Sequence, residues 1–148
     1  MRISAKGRYA LASVIHMAQR HHSGESITLI SISERLGISK IYLEQVFSLL
    51  KRGELVTSVK GALGGYLLSA SPEQINVLDV LTAVETGLFD KTEDTVAQKA
   101  PEIEYAMREA VFDVLDSAVA ATLSQISLED LVLMSEKHKG DDAAMYYI

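Results

Sequence analysis

The sequence predicts a mainly α protein with one small β hairpin, and three observations carry that prediction. Apolar residues recur at helical spacing in most segments, and Gly, Ser, Thr and Pro stand where helices must start or stop. One glycine-rich stretch is flanked by β-branched residues, as a hairpin requires.

The first periodic segment places Leu11, Val14, Ile15 and Ala18 at i, i+3, i+4 and i+7, one face of an amphipathic helix. Arg2, Lys6 and Arg8 ahead of an apolar run have the outline of an export signal. Ser13, His16 and the helical period read instead as structure, which makes the cytoplasm the expected location. After the polar stretch His21 to Ser26, Thr28 opens a short helix with Leu29, Ile32 and Leu36 inward, and Gly37 ends it. Ser39 then caps a third helix in which Leu43, Val46, Phe47 and Leu50 form a clean apolar face, with Gly53 as the expected stop. Two helices joined by a glycine-containing turn of about three residues have the outline of a helix-turn-helix. Leu55 to Lys60 and Tyr66 to Ser69 follow as two short strands around Gly61-Ala62-Leu63-Gly64-Gly65. A hairpin in that position is a wing. The loop has neither the dinucleotide fingerprint nor the lysine of a Walker A motif, so it is not expected to cradle a nucleotide.

Further on, Asn76 with Asp79 starts a helix carrying Val77, Val80, Leu81 and Val84. Pro101 suits the first turn of a long helix reaching to about Leu123, some 35 Å at roughly 1.5 Å per residue. Ile103, Met107, Ala110, Val111, Val114, Ala118 and Ala121 form one stripe along it, and small Ala118 and Ala121 permit another helix to approach closely. The stripe packs either on the winged domain or on a second copy of the chain, and a two-fold dimer is the expectation. Ser127 caps a last helix through Leu128, Leu131 and Met134, while Lys137 to Asp142 is expected to be polar and mobile. The chain thus reads as a winged helix-turn-helix domain over residues 1–75 and a helical dimerisation region over 76–148, ending in the apolar tail Met145, Tyr146, Tyr147 and Ile148.

Charge divides the chain in the same way. The 148 residues carry a net −6, yet Met1 to Tyr66 sums to +5 and the remainder to −11. One part attracts a polyanion and the other repels it. With no cysteine, thiolate clusters, cysteine-rich zinc sites, cysteine nucleophiles and disulfides are excluded, and no apolar run approaches the roughly 18 residues of a membrane span. His16, His21, His22 and His138 show no zinc-protease spacing, there is no nucleophile elbow, and no cofactor is expected. His138, Asp141 and Asp142 read as mobile surface charge rather than a metal site. An enzyme is not expected. A pure protein-interaction module is the remaining rival, and it has no need of a basic half.

The third helix also carries the chemistry to read DNA. Ile41, Glu44, Gln45, Ser48 and Arg52 point away from its apolar stripe. Gln pairs with adenine edges, Glu accepts from the cytosine amino group, and an exposed Ile packs on a thymine methyl. Lys60 at the wing tip neutralises a phosphate or enters the minor groove, and glycines let the backbone come close.

Met1 to Leu11 (MRISAKGRYAL), Ile38-Ser39 with Tyr42-Leu43-Glu44-Gln45, and Gly61 with Gly64-Gly65-Tyr66 together resemble the Rrf2 family of bacterial winged helix-turn-helix transcription regulators. The likeness is close over about the first 90 residues. The resemblance implies a homodimer on double-stranded DNA, with Ser39, Tyr42, Glu44 and Gln45 as helix contacts and Lys60 and Gly61 as wing contacts. Arg2, Lys6 and Arg8 would hold the phosphate backbone. Cluster-sensing members carry cysteines between the fourth and fifth helices; the matching segment here, Phe89 to Pro101, has none. The chain is similar in length and ending to the cysteine-free branch that represses sulfur-assimilation genes while bound to O-acetylserine sulfhydrylase. In that light Met145 to Ile148 either folds back on the dimer or docks its terminal carboxylate in the cleft of that enzyme.

Overall fold

The structure, a computed structural model, describes residues 2–62 and 64–145, the last three of these by backbone alone. Its elements run α1 (Ala5–Gln19), α2 (Leu29–Leu36), α3 (Lys40–Arg52), β1 (Val56–Ser58), β2 (Tyr66–Leu68), α4 (Val77–Val84), α5 (Pro101–Met107), α6 (Asp113–Ser124) and α7 (Leu128–Met145). The chain is mainly α with a small β wing.

Local chemistry sets most of the boundaries. The Ser4 hydroxyl caps α1 by accepting from the Gly7 amide, Thr28 caps α2 through the Ser31 amide, and Ser39 caps α3 through the Tyr42 amide. Asn76 and Asp79 exchange side-chain and backbone hydrogen bonds in a full capping box at α4, and Ser127 and Asp130 do the same at α7. Gly37 ends α2 in the left-handed region at φ +69°.

α3 stops at Gly53 as expected, though not through a left-handed glycine. Gly53 sits at an ordinary φ of −77°, and the left-handed residue is its neighbour Glu54 at +61°. Gly53 is required for another reason: a Cβ there would lie 2.8 Å from that of Ala83, so the glycine lets α4 press against the end of α3.

The core gathers Val14 and Met17 of α1, Ile32 of α2, and Leu43, Val46, Phe47 and Leu50 of α3, each 2% exposed or less. At about 1.5–3 kcal/mol per large apolar side chain, this buried face of α3 fixes its rotation about its own axis. The core also takes in Val80 and Val84 of α4 and Leu128 of α7. It therefore runs across the boundary expected at residue 75. The long-range bonds of the Val77 amide to the Ile126 carbonyl and of the Leu128 amide to the Ile75 carbonyl, both 2.9 Å, return the chain so that α7 packs on α1.

From Pro101 to Ser124 the chain is helical throughout, as its stripe predicts, with a wider turn at Arg108–Phe112 where hydrogen bonds run five residues apart. Lys137 to Asp142 is helical within α7, in contrast to the mobile stretch expected, and His138 pairs with Asp142 one turn on at 3.2 Å. Tyr146, Tyr147 and Ile148 lie outside the described residues, as does the side chain of Met145. No helix among the described residues is long and apolar enough to cross a membrane.

Candidate nucleic-acid interface

Burying one face of α3 forces the opposite face outward. Ser39, Ile41, Glu44, Gln45 and Ser48 are all exposed, Ile41 at 72%. A lone exposed apolar side chain is ordinary on a protein surface, so Ile41 gains weight only from the polar residues that share its face. Lys40 and Lys51, which the sequence reading did not single out, extend the same exposed surface. Lys40 reaches Glu44 at 3.9 Å, a solvent-exposed pair of small energetic weight. Lys51 donates to the Ser58 hydroxyl of β1 at 2.9 Å, so one side chain bridges helix and wing. Tyr42 is half-buried and stands edge-on to Tyr9, ring centroids 5.0 Å apart at 86°. That contact anchors the start of α3 to α1.

Backbone pairing and an aromatic contact hold the wing in place. β1 and β2 are antiparallel with Val56 opposite Leu68 and Ser58 opposite Tyr66. Ile27, just before α2, exchanges both backbone hydrogen bonds with Tyr66 at 2.9 Å, adding a third extended segment that the sequence did not reveal. Beneath the sheet, the rings of Phe47 and Tyr66 pack 4.8 Å apart, which ties the wing base to the buried side of α3. At the loop, Gly65 has φ +113°, and a Cβ there would meet the Ile27 carbonyl oxygen at 2.9 Å. Lys60 and Gly61 are exposed, and around Gly61 a Cβ would find open space.

The remaining basic residues divide. Arg8 is exposed and Lys6 half-buried on the first turns of α1. Arg2 lines a cavity of about 700 Å³ between α4 and α6, with Leu78, Phe89, Leu115, Asp116 and Val119 among its walls. The structure therefore sets Arg2 beside the long helix. Of the stripe on that helix, Ile103, Ala110, Val111, Val114, Ala118 and Ala121 are exposed and Met107 is half-buried, with Val114 57% exposed. Among the described residues nothing covers it.

From within α5, buried Glu104 accepts from the amides of Thr95 (3.1 Å) and Val96 (2.8 Å) in the segment after α4. Arg108, 3.5 Å from the Glu104 carboxylate, donates to the Thr92 carbonyl and to Asp94. This clasp holds the Phe89 to Pro101 segment without any thiolate. Among the described residues no group of three His, Asp or Glu side chains is placed to hold a metal ion. The residues present do not fit an iron site or an iron–sulfur cluster.

Residues 3–133 match the Rrf2 family model, described as an iron-dependent transcriptional regulator. The chain is 39% identical to the transcriptional regulator IscR of Photorhabdus laumondii, over 89% of this chain and 79% of that one. It is 36% identical to the transcriptional regulator CymR of Bacillus subtilis over the full length of both. The solved structure of CymR, the global cysteine regulator of B. subtilis, superposes with a TM-score of 0.71 at 32% identity, covering 90% of this chain and 98% of that one. That of T. potens IscR gives 0.72 at 30% identity, covering 93% and 90%.

Proposed function

The chain belongs to the Rrf2 family of transcriptional regulators, DNA-binding proteins rather than enzymes, and from that premise we propose that it is a homodimeric repressor. Two α3 helices enter successive major grooves, with half-sites about one helical turn apart. Ile41, Glu44, Gln45 and Ser48 read base edges, Ser39 and Tyr42 set the start of the helix against the backbone, and Lys60 and Gly61 bring the wing to the minor groove. Arg8 and Lys6 neutralise phosphates, and Arg2 serves there only where the duplex reaches the α4–α6 side. The observation that carries this reading is the exposed polar face of α3 locked to a glycine-rich wing, within the part of the chain whose charge is +5.

Dimerisation rests on the uncovered stripe Ile103, Met107, Ala110, Val111, Val114, Ala118 and Ala121. A stripe of that length on one helix suits an isologous contact, in which the same patch serves both copies. Cysteine and sulfur metabolism are the proposed regulon, supported by the end-to-end match with CymR and by a sequence without cysteine. In this reading O-acetylserine sulfhydrylase is the protein partner, received through Met145, Tyr146, Tyr147 and Ile148.

The deciding experiment selects bound genomic fragments in vitro with the full chain, with and without the sulfhydrylase. Fragments upstream of sulfur-assimilation genes are expected; enrichment of unrelated promoters would remove the regulon. Equal enzyme affinity of chains with and without the last four residues would remove the role of the tail.

A further inference from the structure

Where α1, α2 and the base of the wing meet, His16, Arg20, Ser26, Ile27, Ser31 and Arg35 line a cleft of about 220 Å³. His16 is 8% exposed and forms part of its wall, while Arg20 and Arg35 are exposed at its mouth. No carboxylate among the described residues pairs with either guanidinium. Ser26 spends its proton on the Gly64 carbonyl and Ser31 on that of Thr28. The donors left for an occupant are therefore the two guanidinium groups, with the imidazole, hydrogen-bonded to Gln19, in the wall beside them.

We propose that this cleft binds a phosphate- or sulfate-type oxyanion. Guanidinium groups match the oxygen geometry of such an ion and hold it more strongly than neutral donors would. At roughly 30 Å³ for each water, the space accepts a tetrahedral ion together with part of its hydration. The imidazole supports the assignment: burial and then the facing charge of Arg35 hold it below its ordinary 6.5, with Arg20 acting in the same sense and a Gln19 hydrogen bond opposing. An anion in the cleft reverses that field and draws a proton onto His16. Two sources have this chemistry. The cleft adjoins the wing through the Ser26–Gly64 bond and the Ile27–Tyr66 pair, where a duplex phosphate would pass, and a free ion would meet the same donors.

The test uses the full chain and inorganic sulfate. His16 is titrated by NMR in chloride and in sulfate at constant ionic strength. Sulfate is expected to raise its midpoint, and the Arg20→Gln/Arg35→Gln variant, altered only at exposed positions, is expected to lose that rise. No rise, or an equal rise in the variant, overturns the proposal. A second arm, which rests on the DNA-binding reading, measures duplex affinity across salt. A slope shallower by about one in the variant assigns the cleft to a backbone phosphate, and an unchanged slope assigns it to a free ion. Failure of the parent chain to bind duplex would end the DNA reading while the sulfate arm still decides the cleft.

Discussion

Gly65→Ala is the sharpest test of how the wing is held. Its φ of +113° lies where side-chain-bearing residues rarely go, a strain of about 1–3 kcal/mol. The added Cβ would also sit 2.9 Å from the Ile27 carbonyl oxygen, the atom that accepts from the Tyr66 amide. Relieving that contact separates the Ile27–Tyr66 pair, whose two hydrogen bonds contribute about 1 kcal/mol each. The sum is about 3–5 kcal/mol if the pairing is kept or lost as a unit. Gly24→Ala is the matched control, since φ is +70° but a Cβ meets nothing within 4 Å. That variant should lose only about 1–2 kcal/mol, the conformational cost alone. Urea unfolding of both at one protein concentration gives the comparison, and duplex affinity should fall for Gly65→Ala far more than for Gly24→Ala. Equal loss of stability in the two variants would refute the close approach of Gly65 to Ile27.

Other outcomes follow from the same geometry. Gln45→Ala, on the exposed face of α3, should cost about 1–3 kcal/mol at one base position, whereas Lys60→Ala should weaken every duplex and flatten the salt slope by about one; an identical loss on all sequences in both would contradict the division of roles. Val114→Asp places a charge on the uncovered stripe, so sedimentation should show a folded monomer with reduced duplex affinity, and a persisting dimer would mean the stripe serves something else. Glu104→Ala leaves Arg108 without its buried partner and should cost about 3 kcal/mol, with hydrogen exchange rising first at the Thr95 and Val96 amides; unchanged protection there would remove the clasp. Because the His16 pKa is lowered on folding, the unfolded chain takes up the proton first as pH falls. In chloride, stability should thus decline on acidification through 6.5, and His16→Gln should lessen that slope; parallel pH profiles would show that His16 is not the group responsible.

Much of the candidate interface was legible because it is built from local rules. Ser39 caps α3 whatever lies around it, and the spacing of Leu43, Val46, Phe47 and Leu50 fixes which residues face outward. The outward placement of Ile41, Glu44, Gln45 and Ser48 follows by that route. Lys40 and Lys51 had a signal too, since they border the same face. The Ile27–Tyr66 pair had none, because a single extended residue before a helix shows no alternation. Lys137 to Asp142 gave no helical signal either, because its composition is polar throughout, yet the helix capped at Ser127 continues through it.

The sequence alone determined the helix starts, the outward face of α3, the glycine loop of the wing and the exclusion of thiolate chemistry, since each depends on neighbours within a turn or on composition. Only tertiary structure decided that α4 and Leu128 join the winged core, that Gly53 yields to Ala83, and that His16, Arg20 and Arg35 converge on one cleft. Those features are meetings between segments far apart in the chain, and periodicity records which way a side chain points without recording what it will meet.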